Sequence, residues 1–236
     1  MCFHNSMSKK ARELAVRYGR KTDLIETYRE TLEEKYHISA FTNPDCIVIT
    51  EKPEMKMMKW GLIPFWSKDE KNAFEIRKMT YNARSETIFH KLSFRNPIKS
   101  KRCIIPSTGY FEYHHEGTET IPYYIYLKTE EIFSFGGIYD SWYDKETGDT
   151  FYTYSIITTE ANRFTGEIHN GGEEPQRMPL ILNVEDEEMW MDHGLSNEKI
   201  NKLMKPFPAD VMAAYPINRD FIKMNPFNKK VLEEVE

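Results

Sequence analysis

The sequence predicts an α+β fold in a single domain, and three observations carry that prediction. Apolar residues recur at helical spacing near the two ends of the 236-residue chain. Between them lie short runs rich in β-branched and aromatic residues, closely spaced and separated by turn signals. No repeat, low-complexity tract or Gly/Ser linker divides the chain, and its length suits one sizeable core better than two.

The elements follow in order. Residues 7–19 are expected to form a helix with Ala11, Leu14, Ala15 and Tyr18 on one side. Residues 24–36 repeat the pattern with Leu24, Ile25, Tyr28, Leu32 and Tyr36. Strands are expected at 46–50, 56–60, 102–106, 109–113, 121–127, 132–138, 151–158 and 179–183. Turn signals at Glu116-Gly117 and Thr147-Gly148 imply hairpins, hence a mainly antiparallel sheet. Acid-rich helix starts open helices near 185–193 and 196–204, and a short strand is expected around 211–217. Helices at the ends and strands in the middle disfavour alternating α/β order. Neither the dinucleotide nor the P-loop glycine fingerprint is present.

Composition narrows the function further. Formal net charge is −5, which argues against indiscriminate polyanion binding. Yet cations cluster at Lys9, Lys10, Arg12, Arg17, Arg20 and Lys21, and again from Lys91 to Arg102. Acids gather at Glu173-Glu174, Glu185 to Glu188 and Glu233 to Glu236, so one basic face on an acidic protein is possible. No apolar run approaches the ~18 residues of a membrane span, and no signal-peptide h-region follows the start. Three scattered cysteines, Cys2, Cys46 and Cys103, offer neither a disulfide framework nor a zinc site. No metal or cofactor is expected, and the reducing cytoplasm is the expected compartment.

Five groups of residues can carry chemistry. Removal of Met1 would leave Cys2 with an α-amine (reference pKa ~7.7–8.0) beside a thiol near ~8.5, both partly nucleophilic at neutral pH. Such an aminothiol traps aldehydes: the amine forms an imine, the thiolate adds to it, and a five-membered thiazolidine closes intramolecularly. Trp60 to Trp66 (WGLIPFW) reads as an aromatic-flanked turn able to stack bases. Asn82, Arg84 and Ser85 stand at what reads as a helix start, where backbone N–H groups and Arg84 can hold a phosphate. Strand alternation puts Tyr110 and Glu112 on one face, with Gly109, Phe111 and Tyr113 on the other. A carboxyl among aromatics should have a raised pKa, suited to proton transfer. His169 and Arg177 add an imidazole and a cation.

In order along the chain, Met1-Cys2, Trp60-Gly61-Leu62-Ile63-Pro64, Asn82-Ala83-Arg84-Ser85-Glu86-Thr87, Gly109-Tyr110-Phe111-Glu112-Tyr113, and His169 with Arg177-Met178-Pro179 resemble the SRAP family. These are the SOS response-associated peptidase, or abasic-site processing, proteins. The resemblance spans most of the chain and implies one domain over residues 1–236, with a partly closed, barrel-like sheet. It implies covalent capture of abasic sites in single-stranded DNA through a thiazolidine, with no cofactor. By the same resemblance Cys2 is the nucleophile, Asn82 orients it, Glu112 transfers protons and His169 assists sugar opening or crosslink resolution. Arg84, Ser85 and Arg177 would hold the DNA backbone, and Trp60 and Trp66 its bases.

The departures from that pattern are specific. Phe3-His4-Asn5 replaces the usual Gly-Arg-aromatic, so an arginine that contacts DNA is missing. His37-Ile38-Ser39-Ala40-Phe41 replaces an Asn-[VI]-Ala-Pro segment, and Tyr113 stands where tryptophan is usual. Residues 170–176 (NGGEEPQ) separate His169 from Arg177 where one residue is usual, leaving their register open. The expected partner is abasic single-stranded DNA, including strand/duplex junctions, bound by a monomer in the cytoplasm and at the nucleoid. The resemblance also allows AP lyase activity, and with Cys2 replaced by alanine a residual amine would form an imine and cleave the strand. Two other readings stay open at this level: a thiol peptidase or autopeptidase with Cys2 activated by His169, and a non-covalent single-strand binder.

Overall fold

The computed structural model describes residues 2–21, 34–172 and 174–235. Its strands are β1 (His4–Met7), β2 (Lys35–Ser39), β3 (Asp45–Val48), β4 (Lys56–Trp60), β5 (Asn82–Arg84), β6 (Arg102–Ser107) and β7 (Gly109–Glu116). They continue with β8 (Glu119–Leu127), β9 (Phe133–Tyr143), β10 (Thr150–Glu160), β11 (Arg177–Pro179), β12 (Ile181–Leu182) and β13 (Met212–Pro216). The helices are α1 (Ala11–Arg17), α2 (Glu70–Arg77), α3 (Pro97–Ser100), α4 (Arg163–Ile168), α5 (Val184–Met191) and α6 (Asn197–Leu203).

Two sheets form the frame. One has the order β13-β8-β7-β1-β2 and is antiparallel throughout. The other runs β12-β9-β10-β4-β3, with β6 on β9 and both β5 and β11 on β10. In it β4 and β5 lie parallel to β10, so this sheet is mixed. The strand ladders of neither sheet are closed, so the expected partly closed barrel is not confirmed. Beyond the ladders, β3 and β6 approach each other at the Ile49–Ile104 bridge. The α+β class stands, with helices around the sheets rather than interleaved strand by strand.

Local chemistry explains the elements that matter most for the site. The β7–β8 hairpin closes through a two-residue loop whose first residue, Gly117, has φ +59°, a conformation glycine adopts without strain. Along β7 the expected alternation holds. Tyr110 joins the core containing Cys2, Trp60, Tyr154 and Met178, while Phe111 stacks on Phe221 at 4.9 Å on the opposite face. The core containing Cys2 is built from strands of both sheets.

Several expectations change. The helix predicted at 7–19 starts at Ala11, because Met7 completes β1 and pairs with Lys35. The helix predicted at 24–36 lies mostly outside the described residues, and its end, Lys35 and Tyr36, is strand β2. The helix start read at 82–85 is strand β5, drawn into the sheet by pairing Asn82 with Ile156 and Arg84 with Thr158. The strand expected at 179–183 is two, divided at Leu180: its N–H bonds Ile157 on β10, while its carbonyl takes Gly136 on β9. Among the described residues no helix is long and apolar enough to cross a membrane.

Candidate active site

Strand β1 carries Cys2 into the molecule. Asn5 pairs with both Tyr110 and Ile38, and Ala40 N–H donates to the Phe3 carbonyl at 2.9 Å, so the chain start is held between β7 and β2. Cys2 is fully buried, with its thiol 3.8 Å from the His4 carbonyl. Burial, reinforced by the nearby Glu112 charge, pushes the thiol far above its usual range. In the chain that still bears Met1, Cys2 therefore holds its proton.

Glu112 lies near it and His169 faces Glu112, while Asn82 is buried on β5. Glu112, on the core-facing side of β7, is buried and its pKa is pushed up from near 4.5 to about 8 by loss of hydration. Its Oε2 lies 3.7 Å from His169 Nε2, while Oε1 has no hydrogen-bond partner among the described residues. Asn82, the first residue of β5, is buried, and neither of its amide atoms has a partner among the described residues. Buried polar groups are nearly always satisfied, so both are positions where a further polar group is accommodated. His169 caps α4; its Nδ1 lies 3.0 Å from the Arg177 carbonyl and 3.2 Å from the Arg177 N–H. Either ring tautomer thus finds a partner on Arg177. Burial lowers the His169 pKa to about 4, leaving a neutral imidazole facing a carboxyl that is mostly protonated at pH 7.

The Arg177 register left open by the insertion is settled here. Gln176 N–H donates to the His169 carbonyl at 2.7 Å, so the extra residues leave and rejoin the chain at one point. The Asn170 side-chain amide pins the excursion to the His115 backbone, accepting from its N–H and donating to its carbonyl. The excursion then sends Glu174 to Arg84, whose Nε lies 2.9 Å from the carboxylate. Arg177 grips Glu86 with both terminal nitrogens, at 2.6 and 3.0 Å. Each expected phosphate-binding arginine therefore already holds a carboxylate. Ser85 opens the turn after β5, its N–H donating to the Thr158 carbonyl rather than standing free at a helix end.

The aromatic turn is also revised. Trp60 is wholly buried, donates its indole N–H to the Tyr81 carbonyl at 2.9 Å and stacks on Tyr154, so its ring cannot take a base. Phe65 and Trp66 are exposed, but their turn is anchored on Asp140, Trp142 and Thr153. A groove of about 920 Å³ instead opens from Glu112 and His169 past Phe3, Phe41 and Phe227. His4 and His37 line it, hydrogen-bonded to each other at 2.9 Å. Sequence reasoning marked the segments holding these residues as departures. The pairing of positions 4 and 37 is a property of the β1–β2 ladder and has no local signal.

With this geometry in view, comparison with known proteins places the chain. The family model described as SOS response associated peptidase (SRAP) matches residues 1–224. The abasic site processing protein YoqW of Bacillus subtilis (strain 168) is 37% identical over 206 residues, covering 83% of this chain and 87% of that protein. The abasic site processing protein YoaM of the same strain is 40% identical over 163 residues, 68% of this chain and 67% of that protein. A crystal structure of a Bacteroides thetaiotaomicron protein superposes with TM-score 0.97 at 52% identity, over 100% of both chains. On the extent of the family match and the identity to curated relatives, the chain belongs to the SOS response associated peptidase (SRAP) family.

Proposed function

We propose that this protein captures the aldehyde of an abasic site in single-stranded DNA covalently, through Cys2 freed of Met1, and so shields the lesion from strand breakage. One observation carries the reading. Buried Cys2 lies close enough to Glu112 to feel its charge, and Glu112 in turn faces His169 at 3.7 Å where both line a groove that also takes in Phe3, the neighbour of Cys2. The names of the relatives, abasic site processing proteins, point to the same substrate.

The residues divide the work by protonation state. The Cys2 amine attacks the ring-opened aldehyde, and neutral His169 carries a proton from the amine to the new alkoxide. Glu112, still protonated at pH 7, donates to the hydroxyl, which leaves as water and generates an iminium ion. Glu112, now a carboxylate, takes the thiol proton while Cys2 sulfur bonds to the iminium carbon. The thiazolidine closes, one water has been lost, and Glu112 is again protonated. The buried thiol is thus ionised only when an electrophile is waiting. Asn82 holds the Cys2 amine. This division disfavours thiol-peptidase action, which needs a thiolate stabilised in the resting site, whereas burial and Glu112 both oppose one here.

The test is the intact mass of the processed protein with an abasic oligonucleotide, read under denaturing conditions. An adduct of protein plus DNA minus one water is expected, together with absence of Met1. Its absence overturns the reading. Cys2→Ala should abolish the thiazolidine, leaving an amine that forms a reversible imine and cleaves the strand by β-elimination.

A further inference from the structure

The groove beyond the reacting groups has a wall that the reaction does not use. Residues Ala40–Thr42 form a short 3-10 turn between β2 and β3. The Ala40–Phe3 hydrogen bond fixes that turn beside the residue following Cys2. On it, the Phe41 ring is braced by Phe3 at 5.0 Å, Tyr81 at 5.8 Å and His4 at 6.0 Å. Even so, Phe41 is 58% exposed, with its outer side toward the groove. A ring held from behind and open in front is a preformed stacking surface.

The surrounding charge decides what it fits. His4 and His37 bond to each other, and burial keeps both neutral near pH 7. Lys35 and Glu174 also line the groove, the Glu174 carboxylate being held by Arg84. Beside Phe41 itself stand Phe3, Tyr81 and the neutral His4, flat and uncharged faces that suit a nucleobase. An abasic nucleotide also leaves the adjacent base without one stacking neighbour, and a protein ring can take that vacant place.

We propose that Phe41, braced by Phe3 and Tyr81, stacks on the nucleobase beside the lesion and so positions the lesion at Cys2. The proposal rests on the reading of Cys2 given above and adds a positioning residue to it. The probe is a single-stranded oligonucleotide with 2-aminopurine next to a tetrahydrofuran abasic analogue, which has no aldehyde and cannot react. Wild-type protein should quench the 2-aminopurine. Phe41→Ala should lose the quench and bind about tenfold more weakly, while Phe41→Trp should restore both. Because Phe41 is largely exposed, the alanine variant should fold, which its thermal melt checks. An unchanged quench in Phe41→Ala, or no quench by the wild type, overturns the proposal. Adduct formation between wild-type protein and a small aldehyde, glycolaldehyde, is measured alongside. Failure there removes the Cys2 reading, whereas the quench alone judges Phe41.

Discussion

Glu112 combines the role proposed for it in capture with a cost to stability, and both follow from one buried carboxyl. Its pKa of about 8 keeps it protonated at pH 7. As a proton donor it is competent below that value and lost above it, whereas the attacking amine becomes competent as pH rises. The rate of adduct formation should therefore be bell-shaped and fall above pH 8. Glu112→Gln should slow capture about 100-fold and abolish the alkaline limb. Linkage gives the second expectation. A carboxyl with a raised folded-state pKa contributes stability that is present below about 4.5 and lost as pH rises through 8. Glu112→Gln should therefore unfold at a higher temperature at pH 8, and equal melting temperatures would contradict the assigned environment. His4 and His37 have the opposite sign. Their folded pKa values of about 3 and 4 mean that the unfolded chain binds more protons below pH 6.5. Stability should drop between pH 6.5 and 4, by roughly 2 kcal/mol for each imidazole at pH 5. Urea melts at pH 7 and pH 5 measure this, and a His4→Asn, His37→Asn variant should lose most of the difference. Glu112 was legible in the sequence because strand alternation alone puts it with Tyr110. Its unpaired oxygen was not, since that depends on what every neighbouring element fails to supply.

Among the elements, β5 and the 170–176 excursion show where local reading stops. Asn82-Ala83-Arg84 reads as a helix entry by residue type, yet three hydrogen-bonded positions on β10 make it a strand. That change points Asn82 into the core and brings Arg84 to Glu174. The excursion was legible as an insertion, but its effect was not. Its two ends meet at His169 and Gln176, so the site is undisturbed while an acid is delivered to a basic position. If Arg84 faces the DNA backbone, Glu174 competes with phosphate. Glu174→Gln should then bind undamaged single-stranded DNA several-fold more tightly, with a salt slope steeper by about 0.7, one phosphate contact. Fluorescence anisotropy across a salt series measures this, and adding Arg84→Ala should erase the gain.

For the molecule as a whole, Arg102 ties helices to sheet. It starts β6, is fully buried and has no carboxylate hydrogen-bonded to it among the described residues. Its guanidinium donates to the carbonyls of Trp190 (2.6 Å), Ile98 (2.7 Å), Lys99 (2.9 Å) and Asp192. These carbonyls lie at the C-terminal ends of α3 and α5, where helices leave acceptors unsatisfied. Arg102→Met would strand them in the core. It should cost about 3 kcal/mol, read as a lower urea midpoint with an unchanged slope. A change under 1 kcal/mol would show that water can replace the guanidinium. In sequence, Arg102 is simply one of a run of surface-like cations, because its partners come from helices before and after it in the chain.

By itself the sequence determined the α+β class, most strand positions and, through motifs in order along the chain, the family. Periodicity and residue type are local properties, and ordered motifs survive separation along the chain. Tertiary structure alone decided the two open sheets, the protonated thiol of the chain that bears Met1, the buried Trp60 and the carboxylates already held by Arg84 and Arg177. Each of these depends on burial or on a partner tens of residues away, and dehydration of a group is set by everything packed around it, not by its neighbours in sequence.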